Sequence, residues 1–548
     1  MNTRKTKICP TQIALMNGRE WLGSEANESL TFDYFHSHHS GTKPRRALGS
    51  ETEYGIICPG QPALSPISSS TAVVLAYAKS LGLEADDRTR WDFSPEFPLR
   101  DTRGFDLGMA RPTPSVNPNA PGLANLVLYN GGRFYVDHAH PEYSTPEVTD
   151  PLAAVVWDKA GDRIALRACQ QLQIEKNGFP VVLYKNNVDG KGASYGTHEN
   201  YTVARRIPFS TLAQALIPFF VTRIIYTGAG RVGIGPASED AGYQISQRAD
   251  YIETEISLET TLNRGIINTR DEPHADYEKW RRLHVIVGDG NMSEIAQYLK
   301  MGATSLVLDA IEQGEDFSDL ALADPVRDFK RVSRDLGCSL AVELVDGRRL
   351  TAIEIQREYL ERVGCIVGEK GSSFSDDRTT DILTYWDKVL NDLSTSPLET
   401  SDYLDWTAKL ALLQGIKSRH NLAWDHPKLA ALDLAYANTS PSGIFQKLVD
   451  AGRMKTLVKE EDIVRATFTP PPDTRAWLRG QMVERFGKKI VAAAWDRLIV
   501  SKPGGGYLTL MMSDPLTMTR NQVEEVLTCS EDALDIVMAL QDAKKGES

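Results

Sequence analysis

Thiol chemistry is thinly spread in this chain of 548 residues. Its six cysteines, Cys9, Cys58, Cys169, Cys338, Cys365 and Cys529, form no CxxC pair. That excludes the usual thiolate zinc pattern and a secreted disulfide framework, and fits a reducing cytoplasm. Long apolar runs are absent too: none reaches the ~18 residues that a membrane span needs. The N-terminal segment carries Arg4, Lys5 and Lys7 but no continuous apolar stretch, so no secretory signal is expected. There is no basic surplus. A net charge of −12 argues against a nucleic-acid partner. The phosphate loop GxxxxGK[ST] does not occur. GAGRVG at Gly228–Gly233 matches GxGxxG, but no clear helix follows and Pro236 interrupts, so it reads as a turn in a sheet.

What is there is an ordinary globular composition, 41% apolar and 24% charged. A chain of this length builds its core without metal or disulfide staples, so any metal serves chemistry. Residues 1–46 are polar, with a His/Ser cluster from His36 to Ser40. They read as a disordered extension or as translation from a misplaced start codon. Ala47–Ile57 alternates as a strand and Thr71–Leu83 reads as a helix. Residues 84–122 hold six prolines between Pro95 and Pro121 and read as a long functional loop. Leu126–Asp137 returns to strand and Pro151–Gln173 to an amphipathic helix. Short strands run on to Gly288, helices dominate from Met292 to Asp450, and Thr469–Asp473 (TPPPD) breaks the last segment. Strands first and helices later predict an α+β fold with a mostly antiparallel sheet.

The informative pattern is the charge on the expected strands, where residues two apart share a face. Glu51 and Glu53 point one way. Arg133, Tyr135 and Asp137 share a face, and the chain is then expected to turn through His138 and His140 to Glu142. His198 and Asn200 share a face, as do Arg282, His284 and Ile286. Hard oxygen ligands suit magnesium, and interspersed arginines suit phosphate. Together they read as a metal–nucleotide site spread across a sheet.

Longer segments carry a resemblance. GSETEYGI, RWDFSPEFPLRDTRGFDL, RFYVDHAHPEYSTPE, YKNNVDGKGASYGTHENY, GRVGIGP, INTRDEPHAD, RRLHVIVGD and PPDTRAWLRG occur in this order between Gly49 and Gly480. They resemble the Pup ligase/Pup deamidase family, and within it the hydrolytic branch. The resemblance implies a glutamine synthetase-like catalytic domain over 47–455, of the carboxylate–amine ligase type. Its curved, mostly antiparallel sheet would be flanked by helices, with a small C-terminal domain over 456–548. It further implies Asp137 as the catalytic aspartate and Glu51, Tyr135 and Glu142 as magnesium positions. Glu53, His198 and His284 would be further metal or phosphate ligands. Arg133, Ser144, Thr145, Arg282 and Trp495 would contact the nucleotide, ATP, retained as ADP and phosphate. The partners would be the small acidic tag Pup and pupylated proteins, with Arg205, Arg206 and Arg223 as candidates for a Pup groove.

The implied reaction is hydrolysis of the C-terminal side-chain amide of Pup, either as free glutamine or as the isopeptide to a lysine. The Pup ligase resembles D-x-G-S-H-P-E after its aspartate, whereas this chain reads Asp137-His138-Ala139-His140-Pro141-Glu142. Arg90–Leu107 also resembles a loop of the hydrolases that the ligase lacks. Both favour the hydrolase, with ATP-driven Pup ligation as the alternative.

Overall fold

The computed structural model describes residues 46–84, 87–104, 124–189 and 191–547. Residues 1–45 of the expected extension lie outside these, as do 85–86 and 105–122 of the long loop. In chain order, the elements that frame the site are β1 (Leu48–Glu53), α1 (Pro66–Ser80), β2 (Arg90–Trp91), β3 (Asn125–Val127), β4 (Arg133–Asp137), β5 (His140–Ser144) and α2 (Pro151–Ile174). They continue with β6 (Thr197–Ala204), β7 (Trp280–Val285), α3 (Glu294–Glu312), α4 (Ala476–Phe486), β8 (Ile490–Ala494), β9 (Arg497–Ser501) and β10 (Tyr507–Met511).

The central sheet has the order β7-β6-β1-β5-β4-β3, and every pairing in it is antiparallel. Alternation gives it two unlike faces. Thr52, Phe134, Val136, Tyr143, Tyr201, Val203, Leu283 and Val285 are buried on the back, towards the helices. One of these helices is α2. Asp150 caps its start by accepting from Leu152 N, and Pro151 takes the first helical position. At Gly161 a Cβ would stand 2.2 Å from the Tyr143 ring, so only glycine permits this approach of helix to sheet. Behind β1, Lys185 pairs with Asp158 at 2.5 Å and Asp162 at 3.5 Å. Tyr54 donates to Asp162 at 2.9 Å. These buried charges persist because they are paired and hydrogen-bonded.

A second sheet, β10-β9-β8-β2, has its own apolar core around Leu478, Met482, Ile490, Leu498, Leu510 and Ile536. Strand β2 comes from the long loop and runs parallel to β8, with Trp91 opposite Ala493. That part of the loop is therefore sheet, not irregular chain. Among the described residues no helix is long and apolar enough to cross a membrane.

Four local readings of the sequence are corrected. The first strand ends at Glu53, and Gly55–Ile57 pairs separately with Val182–Tyr184. Leu126–Asp137 is a hairpin, because Asn130 and Gly131 (φ 80°) turn the chain between β3 and β4. Glu142 lies on strand β5 and not on a turn. Asp137 pairs with His140, so only His138 and Ala139 close the hairpin, with His138 left-handed at φ 51°. Arg223 does not face a groove. It is buried with Nη2 at 2.5 Å from Glu199, and Nη1 donates to Thr304 at 2.6 Å. A charge needing a partner inside the core looks the same in sequence as a surface charge.

Candidate active site

The front face of the central sheet collects the charged residues. Register places Glu51 between Ser144 and His198, Glu53 opposite Glu142, and Glu142 opposite Tyr135. His284 lies opposite Asn200. Residues scattered over the first half of the chain thus meet on one surface.

Two clusters there have the make-up of metal sites: Glu51 with His198 and His284, and Glu53 with Asp137 and Glu142. In each, the ligand atoms lie within 4.8 Å of one another. The second cluster consists of carboxylates alone. Burial pushes the Glu142 carboxyl well above the usual range, and the negative fields of Asp137, Glu53 and Glu51 add to this. The Tyr135 hydroxyl donates to Glu142 at 2.6 Å, a neutral donor that does not offset the charge of the neighbouring acids. An all-oxygen set short of positive charge fits a hard divalent cation such as magnesium. In the first cluster, burial opposes the charge on Glu51. The hydrogen bond with His198 at 3.2 Å and the field of Arg282 nevertheless hold its pKa well below the usual value. Burial and Arg282 keep His284 neutral, and its Nε2 has no hydrogen-bond partner among the described residues. A neutral imidazole with an unused nitrogen is in ligand form.

The raised Glu142 has a measurable consequence. A carboxyl whose folded pKa is raised favours the folded chain at pH below its ordinary 4.5, and that contribution is lost as pH rises through the raised value. A bound cation removes the penalty. The thermal stability gained on adding Mg2+ to the EDTA-treated protein is therefore expected to grow as pH rises above the ordinary glutamate range. Melting curves with and without Mg2+ across pH read this directly, and a pH-independent gain would remove Glu142 from the ligand set.

Beyond Glu51 the face opens into a cleft lined by Ser144, Thr145, Asn200, Arg282, Arg475 and Trp495. Trp495, in the turn between β8 and β9, meets Trp91 edge-on at 5.1 Å. Arg133 stacks over Trp91 at 4.2 Å and Tyr135 at 3.9 Å, and pairs with Glu96 at 3.3 Å. Arg282 donates to Asn200 at 2.9 Å and is 3.4 Å from both Glu51 and Glu272. Thr145 uses its hydroxyl to accept from Ser50 N at 3.0 Å, which pins β1 in the cleft floor.

The residues expected to hold metal and nucleotide, and Asp137, therefore line this face or its cleft. Asp137 closes β4 with its side chain 39% exposed, open enough to be reached by a substrate. His138 Nδ1 lies 2.9 Å from Asp137 Oδ2. Burial opposes ionisation of Asp137, but this bond and the fields of His138 and His198 hold its pKa below the usual value.

The structure adds residues that the sequence reading did not assign. Asn200 bridges Glu51 and Arg282, and its place two residues after His198 was the available signal. His140 holds Glu53 at 3.1 Å, and Gly196 N donates to the same carboxylate at 2.7 Å. Glu96 and Glu272 reach in from loops, where no periodicity announces them.

A family model described as Pup-ligase protein matches residues 46–499. The chain belongs to this family. Members of the Pup-ligase family similar to it include the Pup deamidase/depupylase of Mycolicibacterium smegmatis, 49% identical over 498 residues. That match covers 90% of this chain and 99% of the relative. The depupylase of Acidothermus cellulolyticus is 49% identical over the same shares. The Pup–protein ligase of Xylanimonas cellulosilytica is 37% identical over 88% of this chain and 99% of its own. Among solved structures, the complex between Pup and its ligase PafA matches with TM-score 0.72 and 31% identity, covering 92% of this chain and 95% of that one. The Pup ligase PafA in complex with ADP matches with TM-score 0.66 and 35% identity, covering 74% and 89%. The α+β fold is thus shared with the Pup ligases. The family match begins at Arg46, which ties the start of β1 to α3 through Asp309 at 2.9 Å and Glu312 at 3.1 Å.

Proposed function

We propose that this protein is a hydrolase that removes the C-terminal glutamine amide of Pup and cleaves the isopeptide bond between Pup and substrate lysines. It would act in the cytoplasm with ATP and Mg2+ bound. The observation that carries the reading is the place of Asp137: an ionised, reachable carboxylate inside an acidic cluster, on the sheet face that also presents Arg133 and Arg282. The 49% identity to deamidase/depupylase relatives, against 37% to a ligase, supports hydrolysis over ligation. So does the spacing from Asp137 to Glu142.

Glu51, Glu53, Glu142, His198 and His284 would hold the metal, with Tyr135 donating to Glu142 beside it. Arg133, Ser144, Thr145, Arg282 and Trp495 would hold the nucleotide, retained as ADP and phosphate. When bound, these groups supply positive charge where an oxyanion develops. The chain's own residues do the rest. Asp137 Oδ2 is held by His138, which leaves Oδ1 to attack the amide carbon. The C–N bond then breaks, ammonia or the lysine amine leaves with a proton, and water hydrolyses the acyl–aspartate to restore the carboxylate. Asp137 raises the pKa of His138, which keeps a proton at Nδ1 beside the reacting carboxylate. Arg206, exposed, and Arg205, which pairs with Asp271 at 2.7 Å and stacks on Tyr277 at 4.2 Å, would meet the acidic Pup chain.

Incubation with Pup ending in glutamine, ATP and Mg2+ is expected to release ammonia and convert the terminal residue to glutamate, read by mass spectrometry. New conjugates formed from Pup ending in glutamate, a target protein and ATP would make the protein a ligase instead.

A further inference from the structure

Behind the central sheet lies a partly enclosed cavity of about 160 Å³, separate from the candidate site. Four segments wall it: the end of α1, strand β3, the base of the long loop and the end of α4. Leu126 of β3 stands opposite Phe134, and both are buried on the back, away from the acidic clusters. The body of the cavity is apolar and aromatic, built from Tyr77, Leu81, Leu83, Leu128, Tyr129 and Val483. Its rim carries Glu484 and Lys488, both exposed. Lys488 pairs with Asp87 at 2.5 Å, and Thr89 donates to Gly487 O at 3.4 Å. The loop base is thereby tied to the second lobe at the cavity rim.

Two hydroxyls in these apolar walls point to a ligand. Tyr77 is 2% exposed and meets Phe134 edge-on at 6.2 Å, yet its hydroxyl has no hydrogen-bond partner among the described residues. The Tyr129 hydroxyl has none among them either. The two are near enough for the field of Tyr129 to act on Tyr77. Buried hydroxyls are ordinarily hydrogen-bonded. Tyr54 and Tyr143, on the same side of the sheet, obey this rule, with Asp162 at 2.9 Å and Asn130 at 3.0 Å. Burial raises the pKa of Tyr77 and of Tyr129, and the field of Glu484 adds to the second shift. Both are therefore neutral phenols, free to donate and accept. The same burial disfavours a charged occupant. A cavity of roughly 150 Å³ holds one benzene ring, and tyrosine rings favour an aromatic neighbour set edge-on.

We propose that this cavity binds a small neutral aromatic molecule that carries a hydroxyl group. The ring would pack against Leu81, Leu128 and Val483, and the hydroxyl would pair with Tyr77 and Tyr129. Leu128 follows β3 of the central sheet and Val483 belongs to α4 of the second lobe, so the occupant bridges the lobes at the base of the long loop. The site is independent of the chemistry on the front face.

Phenol and toluene are the probes, one with the hydroxyl and one with a methyl group in its place. Methyl-resolved NMR of the full chain reads binding at Leu81, Leu128 and Val483. Phenol is expected to shift all three with one dissociation constant, on the order of 1 mM or tighter. Toluene should bind roughly tenfold more weakly. Tyr77→Phe combined with Tyr129→Phe keeps the cavity and removes both hydroxyls, and should bring the two probes to within about twofold of each other. Ala78→Leu, which fills the cavity from α1, should lose both probes. The proposal is overturned if phenol gives wild type no saturable shift at these methyls up to about 20 mM. It is also overturned if toluene binds wild type as tightly as phenol, or if the double phenylalanine variant keeps the preference. The wild-type comparison needs no variant to fold.

Discussion

Asp137→Asn is expected to lower hydrolysis of the Pup amide by on the order of a thousandfold or more, with nucleotide affinity unchanged. Asparagine has nearly the same shape, and the hairpin around it is set by the backbone pairing of residue 137 with His140. The cleft by Trp495 and Arg282 is untouched. What disappears is the anionic oxygen. One of the acids that raise Glu142 disappears with it, and Asp137 is the strongest of the charges acting there. The Glu142 pKa should therefore fall in the variant, and the stabilisation by Mg2+ should depend less on pH. Single-turnover assays with calorimetric titration of ADP separate chemistry from binding. Turnover retained at the wild-type rate would move the chemistry to another residue.

Glu147→Ala is expected to destabilise the protein by about 3–5 kcal/mol, the largest loss of stability expected here from a single substitution. Glu147 pairs with Arg475 at 2.7 Å and with Arg479, both buried. These arginines join the two sheets. Arg479 donates to Gly131 O between β3 and β4 and to Trp495 O between β8 and β9, at 2.9 Å each. Arg475 donates to Met512 O at 2.7 Å. Removing the acid leaves two buried cations at this joint. Burial opposes the charge on Glu147, but Arg479 and Arg475 bring its pKa down to about 2 from 4.5. A depressed carboxyl contributes stability above its ordinary pKa and loses it as pH falls through the folded value. Wild type and variant should therefore converge in stability as pH drops from about 4.5 towards about 2. Denaturant unfolding at several pH values measures both effects. Pairing Glu147→Ala with Arg479→Met should restore part of the loss. A loss below about 1 kcal/mol would place this triad with ordinary surface pairs.

Much of the site was legible in the sequence because strand alternation is a local property. Glu51 with Glu53, Arg133 with Tyr135 and Asp137, and Arg282 with His284 each share a face whatever the rest of the chain does. The same rule covered Asn200, which the reading placed beside His198 but gave no role. The misreadings have a common cause. Where Tyr54 breaks a strand, where Asn130 and Gly131 turn a hairpin, and whether Glu142 sits on a strand or in a turn depend on which partner strand is available. Arg223 was read as a candidate for a groove because the burial of Glu199 on the back of β6 leaves no mark in the local pattern around Arg223.

By itself the sequence determined the family, the α+β class and which side chains share a strand face, because long motifs and a period of two survive without knowledge of the fold. Only the tertiary structure decided that β1 lies between β5 and β6, which makes two metal-type clusters from strands far apart in the chain. Only it carried Trp91 and Trp495 to the edge of that face. Strand order, lobe docking and counter-charge are long-range properties, set by which surfaces bury each other.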